Sequence, residues 1–167
     1  VKVVLGFIEL ALSLKFLSVA DLAYGWGLLN RPTFIALWIV IFGSLGFYLL
    51  GKLKFPHDDD LPYVSVPRYF LAMISFAFAI YMVPGLWGAP CKAVSAFAPP
   101  MYTQDFSLYV DEVEAEYHDY EQGMQAAMQA GKPVLVDFTG YGCVNCREME
   151  ASVWTDDKVR DIMREDY

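Results

Sequence analysis

The stretch Lys132–Cys146, KPVLVDFTGYGCVNC, decides the fold of the C-terminal part of this 167-residue chain. Its run Val134–Phe138 is apolar, rich in β-branched residues and too short for a helix, which predicts a buried strand. Two glycines predict a turn after it, and a helix is expected from Cys143 to about Ala151. This order of elements places the Cys143 sulfur at a helix N-terminus, where the helix dipole and free amides favour a thiolate.

Helical sequence flanks this stretch on both sides. From about Tyr117 to Ala130 the apolar side chains recur at one-turn spacing, and Gly131 is placed to end that helix. The triplet Thr155-Asp156-Asp157 is typical of another helix start. We therefore expect a helix, a strand, a cysteine-bearing turn and two further helices in residues 117–167.

The spacing of Cys143 and Cys146 is typical of a thiol–disulfide exchange site. Two cysteines at this spacing can close a small disulfide and reopen it. Cys143, at the helix start, is predicted to be the attacking thiolate, and Cys146, one turn later, the resolving thiol that releases the mixed disulfide. The cysteine pair is itself the redox centre, so we expect no cofactor and no metal.

Two carboxylates lie near these cysteines in the sequence. Asp137 stands inside the apolar run; if it is buried, desolvation raises its pKa and suits it as a proton acceptor for Cys146. Alternatively, Asp137 bonds backbone amides at a strand end. Glu150 follows Cys146 by four residues and shares its helix face. It is either a second carboxylate beside the sulfurs or a solvated helix side chain.

Charge and hydropathy divide the chain into two parts. Hydrophobic residues make up 56% of it and the mean hydropathy is +0.34, which is high for a soluble globular protein. Residues 1–92 hold five acidic and seven basic residues, whereas residues 93–167 hold fifteen acidic and five basic ones. This split predicts a part in the lipid bilayer followed by an acidic, water-soluble part, and it offers no basic patch for nucleic acid.

Three apolar segments within residues 1–88 have about the ~20 residues needed to cross a ~30 Å hydrocarbon core. They run at about 1–20, 34–51 and 69–87, and the last two contain no Asp, Glu, Lys or Arg. In the first segment Glu9 is either a functional intramembrane carboxylate or a side chain bonded to a neighbouring helix. In the second, Gly43 and Gly46 either permit close helix packing or are simply tolerated.

Loop charges predict the orientation of these spans. The loop 52–68 contains Lys52, Lys54 and Arg68, whereas the loop 21–32 contains only Arg31. The excess of bases predicts that loop 52–68 is cytoplasmic. Everything after residue 87 then lies on the far side, which in a bacterium is the periplasm, where disulfide chemistry is normal.

A linker is predicted between the two parts, at residues 89–116. It is rich in Pro and Ala near its start, which is typical of a tether. Cys91 lies at its beginning. This cysteine is either a third redox thiol that hands electrons to Cys143 or an unpaired thiol in an interfacial turn.

The run VLVDFTGYGCVNCREMEASVW, residues 134–154, resembles the thioredoxin superfamily. Joined to the preceding spans, it is similar to the C-terminal part of the DsbD family of transmembrane thiol:disulfide interchange proteins. The motif Cys-x-x-Cys-[Lys/Arg]-Glu-x-Glu of that family corresponds to CVNCREME here. The resemblance implies that Cys143 and Cys146 are the redox pair, that Asp137 is the buried acid of the superfamily and that Glu150 is a second acid near the active site.

The resemblance also implies a fold class and a direction of electron flow. The expected fold is α-helical transmembrane segments followed by a truncated α/β thioredoxin-like domain at residues 117–167. Proteins of this family take electrons from cytoplasmic thioredoxin through a membrane cysteine pair and pass them to periplasmic disulfide proteins. The expected function is therefore that of a membrane-bound thiol:disulfide reductase in the bacterial inner membrane.

The same resemblance predicts that this sequence is an internal fragment of a longer protein. It begins inside an apolar run without an initiator methionine, and none of the three predicted spans contains a cysteine. We expect the membrane cysteine pair upstream of Val1, and a cis-proline loop with the later strands after Tyr167.

Two other functions agree with the same residues. The chain can be a membrane transport or scaffold subunit whose cysteine pair is a structural disulfide, or a membrane-tethered cytochrome-maturation thioredoxin. Arg147 after Cys146 excludes the Cys-x-x-Cys-His motif of covalent haem attachment. Structural zinc would need two ligands besides Cys143 and Cys146, and the remaining soft donors are Cys91, His57 and His118. His57 is predicted on the opposite side of the membrane, so the sequence does not favour a zinc site.

Overall fold

The computed structural model describes residues 2–56, 58, 60–108 and 115–167. His57 and residues 109–114 of the predicted linker lie outside the described residues. The N-terminal helices are α1 (Lys2–Tyr24), α2 (Arg31–Leu49) and α3 (Val66–Met82). Helix α3 continues as a tighter 3₁₀ segment (Val83–Trp87), and two 3₁₀ turns follow at Lys92–Val94 and Met101–Thr103. The C-terminal elements are α4 (Tyr120–Ala130), α5 (Val144–Met149), a π-helical turn (Glu150–Trp154) and α6 (Asp157–Glu165).

Three helices of the described chain are long and apolar enough to cross a membrane, as predicted. They span Lys2–Tyr24, Arg31–Leu49 and Val66–Trp87, with mean hydropathies of 2.0, 1.8 and 1.9. The second and third begin three residues earlier than hydropathy predicts. In each, a proline sits at the first or second helical position, where its fixed φ favours helix and its missing N–H leaves no bond unmade.

Helix α2 is the central element of the bundle and packs against both α1 and α3. Its Trp38 is buried and donates from Nε1 to the Ala11 carbonyl of α1 at 3.1 Å. On the other side, Ser75 of α3 donates to the Phe42 carbonyl at 2.6 Å. These contacts satisfy polar groups between the helices while apolar surface is buried around them.

The two glycines of α2 differ in their surroundings. A Cβ placed on Gly46 would lie 2.7 Å from the ring of Phe76 on α3, whereas one on Gly43 would meet nothing within 4 Å. Gly46 therefore permits the close approach of α2 and α3, and Gly43 is not needed for packing. On α1, Glu9 lies on the exposed side of the helix rather than buried in the bundle.

Residues 89–104 form a compact cap on the bundle. Cys91, Val94 and Ala98 are buried in one core with side chains of α2 and α3. Arg31, the first residue of α2, is 1% exposed. The prediction of a tether is wrong for these residues, because their small apolar side chains fill the end of the bundle.

Arg31 binds this cap through hydrogen bonds from its guanidinium group. Its Nη1 donates to the Pro99 carbonyl at 2.7 Å and its Nη2 to the Pro90 carbonyl at 2.8 Å. The cap therefore lies at the end of the bundle where α2 begins and α3 ends, opposite the loop 50–65.

The predicted strand at Val134–Phe138 does not form. These residues are irregular and exposed, with Phe138 at 90% exposure, and the described residues of the chain contain no strand. A strand needs a neighbour to pair its backbone N–H and C=O groups, and no such neighbour is present among the described residues. The α/β character expected of residues 117–167 is therefore not confirmed.

The helix predicted before this segment does form and ends at Ala130 as expected, but it begins at Tyr120, three residues later than predicted. Asp119 caps α4 by accepting from the Gln122 amide at 2.9 Å. Gly131 ends the helix in the left-handed conformation, with φ +66°. Local capping thus holds α4, although none of its side chains is buried.

Candidate functional site

The two cysteines of the Cys-x-x-Cys motif are joined by a disulfide at the start of α5. Cys143 is the N-cap residue of this helix, as predicted, and the Cα atoms of Cys143 and Cys146 are 5.3 Å apart. The Cys146 amide donates to the Cys143 sulfur at 3.2 Å. A sulfur that accepts a first-turn amide is in the position that favours a thiolate once the disulfide opens. Both cysteines are half-buried.

The turn before Cys143 is tightened by one backbone bond, in which the Cys143 amide donates to the Gly140 carbonyl at 3.0 Å. Gly142 faces the end of α1, since a Cβ placed on it would lie 3.9 Å from Cγ1 of Val19. The cysteine turn therefore lies near the same end of the bundle as the cap.

A pocket of about 230 Å³ lies against Cys146, and it brings together three of the four predicted site residues. Its lining residues are Asp137, Asn145, Cys146, Met149, Glu150 and Trp154. Both predicted carboxylates thus share one pocket with the predicted resolving cysteine, whereas Cys143 lies outside it. The sequence reasoning missed three of the lining residues, Asn145, Met149 and Trp154. Met149 could have been found, because it lies three residues after Cys146 and so on the same helix face as Cys146 and Glu150.

The two acids of the pocket differ in burial. Asp137 is exposed, so the burial expected of it is not found. The absence of a paired strand around residue 137 leaves its carboxylate in water. Glu150 is half-buried, and its pKa is raised, mainly because burial disfavours the charged carboxylate. The negative charge of Asp137 adds to this rise, whereas the positive charges of Arg147 and Arg31 oppose it. Glu150 is therefore the carboxylate of this pocket that is partly removed from water, with a raised pKa.

Arg147 is a site residue that the sequence reasoning missed. Its side chain is 4% exposed, and its Nη1 donates to the Glu150 carboxylate at 2.6 Å. Its Nη2 donates to Thr139 Oγ1 at 2.6 Å and to the Gly140 carbonyl at 3.4 Å. The i, i+3 spacing of Arg147 and Glu150 was the available signal for this pair.

Helix α5 widens into a π-helical turn directly after the pair. The turn covers Glu150–Trp154, and Ser152 donates to the Glu148 carbonyl at 2.6 Å within this region. Single π-helical turns inside helices occur frequently at functional sites. Here the turn begins at Glu150 and ends at Trp154, two residues that line the pocket beside Cys146.

The cap contributes Tyr102 to the surroundings of the site. The pKa of the Tyr102 hydroxyl is raised, mainly by its partial burial. Tyr141 and Glu150 add to this rise, whereas the positive charge of Arg147 opposes it. The cysteine region approaches the membrane part where Gly142 faces Val19.

Cys91 differs from the two cysteines of this site, because it is neither disulfide-bonded nor accessible. It is a free, buried thiol in the core of the cap, with its backbone at φ +44°. Burial raises the pKa of the Cys91 thiol, against the lowering effects of Arg31 and of a hydrogen bond with the Gly85 backbone. Because the thiolate is the nucleophile, a buried thiol of raised pKa is poorly suited to exchange.

Comparison with known proteins agrees with the resemblance inferred from the motif. Residues 115–167 match the family described as thioredoxin-like. Thiol:disulfide interchange proteins DsbD from two strains of Campylobacter jejuni are each 23% identical to the chain over 164 residues, covering 95% of this chain and 25% of the relative. The DsbD protein of Ralstonia nicotianae is 40% identical over 42 residues, which cover 25% of this chain and 7% of that protein.

These matches confirm the resemblance to the DsbD family, and they have a clear extent. The chain spans about a quarter of the length of the Campylobacter relatives. No solved structure matches the chain. Together with the three apolar helices, the relatives indicate a membrane protein with a thioredoxin-like region at its C-terminal side.

Proposed function

We propose that this chain is the membrane-bound, thiol-active part of a thiol:disulfide oxidoreductase that works through Cys143 and Cys146. The observation that carries the proposal is the placement of Cys143 at the N-cap of α5, disulfide-bonded to Cys146 one turn later. A helix N-terminus lowers the pKa of a cysteine placed there and so prepares the attacking sulfur.

The proposed exchange moves two electrons from the reduced cysteine pair to a partner disulfide. The Cys143 thiolate attacks one sulfur of the partner; a Cys143–partner bond forms, the partner disulfide breaks, and one partner sulfur leaves as a thiolate. Cys146 then loses its proton and attacks the Cys143 sulfur. The Cys143–Cys146 disulfide forms, the mixed disulfide breaks, and the partner leaves as a dithiol after taking up two protons.

Glu150 is the proposed proton acceptor for Cys146 in the second half of this sequence. It shares a pocket with Cys146 and is half-buried, so its proton affinity is closer to that of a thiol than an exposed carboxylate's would be. Asp137 lines the same pocket from its water-exposed side. We assign Asp137 the lesser role of raising the pKa of Glu150 by its negative charge.

The proposed direction of electron flow is reductive, outward across a bacterial inner membrane. It rests on the resemblance to the DsbD family; the names of the relatives give thiol:disulfide interchange alone. Electrons would arrive from cytoplasmic thioredoxin through membrane cysteines outside this chain and leave for periplasmic disulfide proteins. The basic residues Lys52, Lys54 and Arg68 at the end of the bundle away from the cap support a periplasmic position for the cysteine pair.

A redox titration of the full chain in lipid nanodiscs tests the proposal. The chain is equilibrated in graded dithiol buffers, and alkylation mass shifts report the oxidised fraction of Cys143 and Cys146. We expect a reversible midpoint within the ~−270 to −180 mV span of thioredoxin-like proteins. A pair that stays oxidised below about −300 mV would instead be a structural disulfide, as in a scaffold or transport subunit.

The identity of the electron acceptor separates the reductase from a cytochrome-maturation thioredoxin. We expect the reduced chain to reduce several unrelated disulfide proteins at similar rates. Strong preference for an oxidised Cys-x-x-Cys-His peptide would favour cytochrome maturation instead.

A further inference from the structure

We propose that Arg147 is the positioning residue of this site: it holds the Glu150 carboxylate fixed beside Cys146. This inference rests on the proposed exchange function. Arg147 itself does not line the pocket. Its effect on the reaction is exerted through Glu150.

The burial of Arg147 is exceptional for its region. Among the side chains that the structure describes in residues 115–167, Arg147 is the only buried one. Its Nε is also buried and has no hydrogen-bond partner among the described residues. Taking a guanidinium out of water is unfavourable unless it gains charged or polar partners, and the three hydrogen bonds of Arg147 offset that cost.

Those partners lie on both sides of the cysteine pair in the sequence. Before Cys143, Thr139 and Gly140 accept hydrogen bonds from Nη2 of Arg147. After Cys146, Glu150 accepts one from Nη1. One planar group therefore ties the turn before the disulfide to the helix after it. An arginine can do this because its donors point in fixed directions, whereas a lysine carries a single charged point.

The same contact favours the ionised form of Glu150. Burial and the neighbouring Asp137 both raise the pKa of Glu150, and Arg147 opposes them. A protonated Glu150 cannot accept the proton of Cys146. When Cys146 resolves a mixed disulfide, its proton passes to ionised Glu150, its sulfur bonds to Cys143, and the partner sulfur leaves with the electron pair of the broken bond.

The test follows both halves of the exchange in the full chain, in nanodiscs and in a Cys91→Ser background. The reduced chain is mixed with the aromatic disulfide dithiobisnitrobenzoate, which releases one coloured thiolate when Cys143 attacks and a second when Cys146 resolves. The rate of each release is recorded against pH. The variants are Arg147→Met, Arg147→Lys, Glu150→Gln and the double variant Arg147→Met with Glu150→Gln.

We expect Glu150→Gln to slow the second release about 100-fold, the lower end of the usual range for general acid–base catalysis. Arg147→Met should slow it about tenfold at pH 7, move its acid limb to higher pH and leave the first release nearly unchanged. Arg147→Lys should keep the limb nearer its original position, because the charge is retained. The double variant should be no slower than Glu150→Gln alone, since Arg147 acts through Glu150.

Arg160→Met is the matched control, because Arg160 also pairs with an acid three residues away, Asp157, and does not line the pocket. It should leave both releases unchanged. A second release unaffected by Arg147→Met, or additive losses in the double variant, would overturn the positioning role while leaving the exchange function intact. The absence of both releases in the unsubstituted chain would refute the exchange function itself.

Discussion

The bundle with its cap and the cysteine region are held together in different ways. In residues 2–104, side chains from three helices and the cap share buried cores around Phe34, Trp38 and Met82. In residues 115–167, the helices end in local caps and Arg147 is the only buried side chain among those described. Packing therefore stabilises the first region, and hydrogen bonds around one arginine organise the second.

This difference separates what supports the site from what performs its chemistry. A region with few buried apolar contacts gains little stability from them and opens at low free energy. The reacting sulfurs are in that region, next to the packed bundle, where Gly142 faces Val19. Substitutions in the two regions should consequently be separable, and the following predictions test that separation.

The largest expected effect is the loss of exchange in Cys143→Ser. A serine hydroxyl is not ionised at neutral pH, so no attack on a partner disulfide should be detectable. The unfolding of the bundle, followed by tryptophan fluorescence in detergent, should be unchanged. Cys91→Ser is the matched control and should retain full exchange; a parallel loss there would show that Cys91 is a third redox cysteine.

Arg31→Met should give the largest loss of stability in the cap. It leaves the buried carbonyls of Pro90 and Pro99 without their donors, at a cost of about 3 kcal/mol. Limited proteolysis should then cut within residues 89–104 much faster. Lys54→Met, which breaks an exposed ion pair with Asp60, is the control and should change nothing measurable. Equal cutting in both variants would mean that the cap is not held by Arg31.

The parts of this architecture that depend on local sequence could be predicted, and those that depend on distant contacts could not. Hydropathy located the three helices, and the glycine turn located Cys143 at a helix N-terminus. The cap escaped prediction because a proline-rich segment is extended unless something buries it, and Arg31 lies 59 residues before Pro90. The strand at 134–138 was wrong for a related reason, since its pattern presupposes a paired neighbour.

The site itself was predicted in outline. The helical spacing placed Cys146 and Glu150 on one face, and Asp137 does share their pocket. The assignment of the buried acid to Asp137 failed because burial is a tertiary property. Arg147 was overlooked because a charged residue in a short helix is usually solvated, and only the fold shows its guanidinium out of water.

Gly46→Ala tests the packing of the bundle with a smaller effect. The added Cβ meets the Phe76 ring, which has to turn aside, so we expect a loss of about 1 kcal/mol in the free energy of unfolding. Gly43→Ala adds the same atom to the same helix in open space and should be neutral or slightly stabilising. Equal losses in the two variants, measured by denaturant titration in detergent, would mean that α2 and α3 do not approach closely at Gly46.

Glu150 should give the cysteine region a small pH-dependent stability. Burial raises the pKa of Glu150 in the folded state, so the folded chain binds its proton more tightly than the unfolded chain does. Stability should therefore fall as the pH rises from the ordinary Glu pKa through the raised one. Amide exchange of α5, corrected for intrinsic pH effects, should show this trend, and Glu150→Gln should remove it. Glu148→Gln, at an exposed position of the same helix, should leave the trend in place.

The smallest expected effect belongs to Phe138→Ser, and it is the most direct test of the contrast between the two regions. Phe138 is 90% exposed, so its replacement should change the free energy of unfolding by less than about 0.5 kcal/mol. An aromatic residue buried in a sheet would instead cost about 3–5 kcal/mol on truncation. Protease resistance of residues 115–167 in the full chain, compared between Phe138→Ser and the unsubstituted chain, decides between them. A large loss would mean that 134–138 pairs as a strand in solution, and that packing stabilises both regions after all.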